Sequence, residues 1–226
     1  MVERHFDDEI KSVNTDLLKM AAMVEEAIFK SVEALKNRDE DLAEKVIQDD
    51  TRIDEMENLI EEKFIDLLAL RQPMAIDLRQ ITTGMKINAE LERIADLTVN
   101  ISQRVKALSG QQPLKPLIDI PKLSEIARKM VKSAIDSYVN RDESLAKEVI
   151  LADPEANKIR NAVQSELLHD FLEKDPSSAT RAVALLLIAR HLERICDHAT
   201  YISEDVIYMV RATVVRHHKE RLDKKI

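Results

Sequence analysis

The sequence predicts an all-α protein built as two tandem antiparallel three-helix bundles related by internal duplication. Three observations carry that expectation. Glycine occurs only 2 times in 226 residues and aromatics make up 3% of the chain, while Leu, Ile, Ala, Glu, Lys and Arg abound, a composition that suits long helices. Apolar residues recur at three- and four-residue spacing over stretches far longer than a strand. The chain also repeats itself: Leu91-Glu92-Arg93-Ile94-Ala95-Asp96 returns as Leu192-Glu193-Arg194-Ile195-Cys196-Asp197, and Asn37-Arg38-Asp39-Glu40 as Asn140-Arg141-Asp142-Glu143. The first pair is offset by 101 residues and the second by 103, so each copy is a unit of roughly a hundred residues.

The elements follow from the breakers. A first helix is expected from about Asp8 to Leu35, with Val13, Leu17, Met20, Val24, Ile28 and Val32 on its apolar stripe. Asn37-Arg38-Asp39 marks a turn with Asp39 as N-cap, and a second helix runs on to about Leu70, where Arg71-Gln72-Pro73 ends it. A third covers about Ala75 to Leu108. Ser109-Gly110-Gln111-Gln112-Pro113-Leu114-Lys115-Pro116, closed by Pro121, is the connector a duplication needs, and it divides the chain into units at 1–112 and 113–226. Helices from about Lys122 to Val139, Asp142 to Lys174 and Ser177 to the C-terminus complete the second unit. Pro154 lies inside the fifth helix, where a kink or break is expected.

The formal charge of −8 argues against nucleic acid as the main partner, because a phosphate backbone needs clustered Lys and Arg. The sequence from Met1 to Asp8 lacks the basic start and apolar core of a signal peptide, and the longest apolar run, Ala182 to Ala189, is too short to span a bilayer. A soluble, cytoplasmic protein is expected. The single cysteine, Cys196, forms neither a disulfide framework nor a thiolate metal site.

The repeated hexapeptides carry the candidate site. Positions four apart on a helix lie about 40° from each other, so Glu92 and Asp96 project side by side. Leu78, Ile81, Met85 and Val99 fall on the same face, so the pair interrupts an apolar stripe, and the opposite side, with Ile87, Ile94 and Ile101, is apolar too. Adjacent carboxylates in such a place repel each other and lose hydration, so they call for a cation, a proton or donors close by. The second helix repeats the pattern with Asp50, Asp54 and Glu57 among Ala43, Val46, Ile47, Ile53, Ile60, Phe64 and Leu68. Asn100 extends the Glu92 and Asp96 set by one turn. Oxygen ligands without thiolates select hard cations, so Mg, Mn, Fe or Zn ions are the expected cofactors, with zinc favoured only if a histidine joins.

In the second copy Glu193 and Asp197 persist, with Leu186 and Thr200 on their face, and Asp153 matches Asp50. Asn157 replaces Asp54, however, and Arg160 replaces Glu57. Arg160 can itself supply the counter-charge, so the first cluster is expected to bind a cation more tightly. The bland reading of both clusters is ordinary salt-bridged seam residues. Glu166-Leu167-Leu168-His169 fits the Glu-x-x-His element of di-iron bundles, but a di-iron site needs two of them, so it is assigned to chance. His198 is read as a partner-satisfied histidine able to turn into the cluster, and His217-His218 as a solvated tail. No phosphate-cradling loop, serine elbow or nucleophilic cysteine constellation is visible, and the chain is not expected to be an enzyme.

Duplicated three-helix units with Leu-Glu-Arg-Ile-x-Asp in the last helix of each resemble the PhoU family. The Asn-Arg-Asp stretch at Asn37 to Asp39 and Arg71-Gln72-Pro73-Met74-Ala75-Ile76-Asp77-Leu78-Arg79 add to the likeness, which covers about residues 8 to 215. The resemblance implies a helical repeat of PhoU-like or spectrin-like form. It implies a cytoplasmic accessory protein of the phosphate-specific ABC transporter that represses the phosphate-starvation response. Its partners would be the transporter's ATPase subunit and the phosphate-sensing histidine kinase, which would bring it to the membrane periphery. The family's Glu/Asp-x-x-x-Asp motif, associated with metal, maps onto Asp50 with Asp54, Glu92 with Asp96, and Glu193 with Asp197. Asp153 followed by Asn157 departs from it, as does Leu97 where the family often carries histidine, while His198 keeps that histidine. Arg93 and Arg194, about 100° round the helix from the motif glutamates, are candidate partner contacts or intramolecular ion pairs. Apolar faces on both sides of the third and sixth helices point to a homodimer. The competing expectations are a metal-independent helical scaffold or a carboxylate-bridged metal enzyme.

Overall fold

A computed structural model describes residues 2–216 and 222 of the chain, with side chains from residue 6 onward. Its helices are α1 (Val2–Asn37), α2 (Glu40–Arg71), α3 (Ile76–Leu108), α4 (Asp119–Asn140), α5 (Glu143–Glu166) and α6 (Ala179–Arg211). The described residues contain no strand. His217 and His218 lie outside the described residues.

The repeated Asn-Arg-Asp-Glu motif is a helix-turn-helix hinge. Arg38 takes φ 55°, the Asp39 N–H donates back to the Ala34 carbonyl at 2.9 Å, and the Asp39 carboxylate accepts from the Leu42 N–H at 2.8 Å. The second copy does the same with Arg141 at φ 52°, Asp142 N–H to Ser137 O at 2.8 Å and Leu145 N–H to Asp142 Oδ1 at 3.1 Å. Each turn joins a left-handed C-cap to an acidic N-cap, which satisfies the orphan backbone groups of both helices within two residues.

Three expectations need correction in the second copy. Pro154 does not break the fifth helix, because α5 runs through it from Glu143 to Glu166. The ring is exposed, so packing of the helix's other face on α4 and α6 carries it past the missing hydrogen bond. The irregularity comes later, where Leu167–Leu172 forms a π-helical turn and Pro176–Ser178 a 3₁₀ turn, so the regular part of the helix ends before Lys174. Likewise α6 ends at Arg211, where Ala212 adopts φ 56°, and does not reach the C-terminus. Pro121 sits in the first turn of α4, a position where its lack of an N–H costs nothing.

Helices α1, α2 and α3 pack on one another, as do α4, α5 and α6. The two bundles are then fused side by side, α3 lying along α6 and α1 against α4, and one continuous apolar core runs through both. Ile87, Ile94 and Ile101 of α3 and Ile188, Ile195 and Ile202 of α6 are completely buried. The double-sided apolar character of α3 and α6, read above as a pointer to self-association, is thus met by packing inside the chain.

Candidate metal centre

The acidic residues stand where two helices of each bundle leave a seam open to water. In the first bundle Asp50 and Glu57 of α2 and Glu92 of α3 are half-buried, and Asp54 and Asp96 are exposed. The stripe that Glu92 interrupts is graded rather than buried throughout: Ile81 is buried, Met85 and Val99 are half-buried, and Leu78 at the helix start is exposed. Helix register therefore carries the carboxylates to the rim of the core.

The two helices do bring their charges together. Burial pushes the Asp50 carboxyl up to about 6, and the charges of Asp54 on its own helix and Asp96 on the neighbour push the same way. Burial raises Glu57 as well, helped by Glu61, Asp54 and Asp96, and raises Glu92 with Asp96 and Glu57 adding to it. Carboxylates of α2 and α3 therefore interact across the seam. Glu61, one turn beyond Glu57, is a sixth that the sequence reading passed over, although its four-residue spacing from Glu57 signals it. The counter-charge is slight: Arg93 Nε lies 3.6 Å from Glu92 Oε2 with its side chain 67% exposed. Asn100 turns its amide to the Asp96 carbonyl of its own helix at 2.8 Å.

The second cluster answers its own charge. Arg160 Nη2 reaches Glu193 Oε1 at 3.0 Å, and Asn157 Nδ2 donates to Asp153 Oδ2 at 3.0 Å. What remains is Asp197, pushed up to about 6 by burial and by Glu193 and Asp153. The Cys196 thiol, buried beside the same three carboxylates, is held protonated. His198 is satisfied by partners outside the cluster: its Nδ1 pairs with Glu90 of α3, and its ring meets Tyr201 edge-on at 5.8 Å. Glu166 pairs with Lys115 and His169 with Glu173, so the Glu-x-x-His spacing points at two different partners. Arg194 is exposed.

As donors, Asp50, Asp54, Glu57, Glu92 and Asp96 form an all-oxygen anionic set with Arg93 as its slight counter-charge, which fits a hard cation. The side chains are adjacent without converging, since among the described residues no group of three or more His, Cys, Asp or Glu is arranged to hold an ion. Like charges lower their energy by rotating apart, and Asp and Glu reach other rotamers at small cost on an open seam. The Arg160 pair makes the second set a poorer fit.

Comparison with known proteins accords with this architecture. The PhoU domain family model matches residues 17–105 and 120–206. A phosphate-specific transport system accessory protein PhoU homolog from Aquifex aeolicus is 40% identical over 92% of this chain and 94% of its own length, and one from Rhizobium meliloti is 40% identical over 90% and 86%. The crystal structure of PhoU from Pseudomonas aeruginosa superposes with TM-score 0.87 at 33% identity, covering 92% of this chain and 100% of that one. The phosphate transport system regulatory protein PhoU from Streptococcus pneumoniae gives 0.86 at 26% identity, covering 93% and 99%. With both of its repeats matched and its six helices superposing on solved relatives, this chain belongs to the PhoU family.

Proposed function

We propose that the chain is a cytoplasmic, non-catalytic regulator of phosphate uptake that represses the phosphate-starvation response and is governed by metal at its acidic seams. The observation that carries the metal reading is the surplus negative charge of the first seam, where Asp50 is pushed up to about 6 with carboxylate neighbours on both helices. The Aquifex aeolicus and Rhizobium meliloti relatives, both phosphate-specific transport system accessory protein homologs, support the regulatory role. Among the described residues no helix is long and apolar enough to cross a membrane, so the chain would reach its site of action through partners. Those partners are the transporter's ATPase subunit and the phosphate-sensing histidine kinase.

In this reading Asp50, Asp54, Glu57, Glu92 and Asp96 hold the ion, and Asp153, Glu193 and Asp197 form a weaker second set. A bound cation supplies charge neutralisation and a Lewis-acidic face for a partner's acidic group or phosphate. The carboxylates tie α2 to α3, so their occupancy sets how tightly the seam closes. Arg93, exposed beside Glu92, is the side chain offered to a partner on that face.

The test is metal content by elemental analysis of the untagged chain, against Glu92→Ala/Asp96→Ala, together with the expression of phosphate-starvation genes in cells carrying each. Metal lost in the double variant, with those genes switched on in rich phosphate, supports the proposal. A folded double variant that represses normally separates regulation from metal and leaves a helical scaffold acting through its surface alone.

A further inference from the structure

A cavity opens where the ends of α1 and α3, the connector and the start of α6 meet. It measures about 370 Å³, within the range of small-molecule sites. In a chain of net charge −8, its lining contains four cationic side chains, Lys36, Arg38, Lys115 and Arg181, and no carboxylate. Leu35, Val105, Leu108 and Leu185 supply an apolar floor.

The four cations are not equivalent. Lys36 is paired with Glu33, and Lys115, only 7% exposed, with Glu166. Arg38 and Arg181 instead donate to the carbonyls of consecutive connector residues, Gln111 and Gln112, the second at 3.4 Å, and each does so through a single Nη1. Among the described residues neither makes an ion pair, although Asp175 feels the charge of Arg181. Two guanidiniums held at neighbouring peptide units, each with planar donors to spare, suit a phosphate group.

The duplication supplies an internal control. By the repeat offsets Arg38 corresponds to Arg141, Leu35 to Tyr138, Arg181 to Gln80 and Leu185 to Gly84. In that corner the Tyr138 ring fills the space, pressed against Gly84, with its hydroxyl donating to Gln80 O at 3.2 Å, and Arg141 is taken up by the neutral Gln80 side chain. The corner formed by α1 and α6 replaces the plug with Leu35 and Leu185 and adds a second arginine, Arg181. One corner of the pseudo-symmetric fold is therefore packed shut, and its twin is hollow and cationic.

We propose that this cavity binds a nucleoside di- or triphosphate, its phosphates held by Arg38 and Arg181 and its flat, less polar body lying over Leu35, Leu108 and Leu185. A group that combines multiple negative charge with a flat apolar face matches both halves of the lining. Inorganic phosphate matches only the cationic half.

The test is calorimetric titration of the full chain with ADP, ATP and inorganic phosphate, in chelator so that the acidic seams take no part. Variants are Arg181→Gln, which installs the residue its own repeat carries, and Arg38→Asn, which tolerates the left-handed backbone there. Saturable ADP or ATP binding, weakened about tenfold or more in each variant as expected for loss of a charge-assisted hydrogen bond, is the expected result. Thermal midpoints should match wild type, and Glu92→Ala/Asp96→Ala should bind like it, which keeps this outcome independent of the metal reading. No saturable binding of ADP or ATP at millimolar concentration, binding indifferent to both arginines, or inorganic phosphate binding as tightly as ADP would each overturn the proposal.

Discussion

Arg160 Nη2 stands 3.0 Å from Glu193 Oε1, at the place where the first bundle sets Glu57 near Glu92. Together with Asn157 in the place of Asp54, this exchange of sign separates the two seams, one left with surplus negative charge and the other partly neutralised from within.

That relationship predicts the behaviour of Arg160→Glu. In chelator the variant should lose about 1.5–3 kcal/mol in urea denaturation, the range for a hydrogen bond to a charged group, with further loss from repulsion by Glu193 and Asp197. Combined with Asn157→Asp it restores the pattern of the first seam, and elemental analysis should find additional metal bound. Unchanged stability, or no added metal in the double variant, would show that Arg160 does not guard the second seam.

The acidic seams also predict an unusual pH dependence for the metal-free chain. Asp50 in the folded protein holds its proton up to about 6, against 3.8 for the ordinary side chain. Between those values the folded state binds more protons than the unfolded one, so this contribution to stability is complete below about pH 3.8 and is lost as pH rises through about 6. In chelator, wild type should therefore gain on Asp50→Asn by about 1 kcal/mol between pH 7 and pH 5. Asp197 should behave alike in Asp197→Asn. Saturating Mn²⁺ should reverse the trend, because the ion holds the carboxylate charged. A stability difference between wild type and Asp50→Asn that does not change with pH would place Asp50 in water.

Gly84 predicts a packing effect at the join of the two bundles. A Cβ there would fall inside contact distance of Phe64 Cζ and 2.5 Å from Tyr138 Oη, both side chains being fully enclosed. Alanine brings about 1 kcal/mol of helix propensity, but overpacking costs up to about 3 kcal/mol, so Gly84→Ala should lower stability by about 2 kcal/mol. In the background of Tyr138→Phe, which removes the hydroxyl and leaves the Phe64 contact, the same change should cost measurably less. Additive losses in that cycle would mean that the backbone moves instead of the ring.

Much of this architecture is legible in the residues alone. Asp39 and Asp142 cap α2 and α5 as their position before an apolar-periodic run requires, and the duplicated hexapeptide places both acidic pairs on matching faces. The Arg160 counter-charge is readable too, because the repeat offset sets it opposite Glu193. The unbroken passage of α5 through Pro154 is not readable, since it depends on packing by α4 and α6 that no local pattern reports. The π-helical turn at Leu167–Leu172 has no local breaker to announce it.

The sequence by itself determined that this chain is helical, that it is built twice, and that each half carries carboxylates interrupting an apolar stripe. Periodicity and spacing are local properties, and they specify which face of a helix must leave water. They do not name the surface that covers it. Only the tertiary structure decided that α3 and α6 cover each other within one chain, that Tyr138 closes one corner while Leu35 leaves its twin open, and that Arg38 and Arg181 meet at the connector. Those outcomes depend on shape and volume shared among residues far apart in the chain, and close packing resolves them only once all six helices are in place.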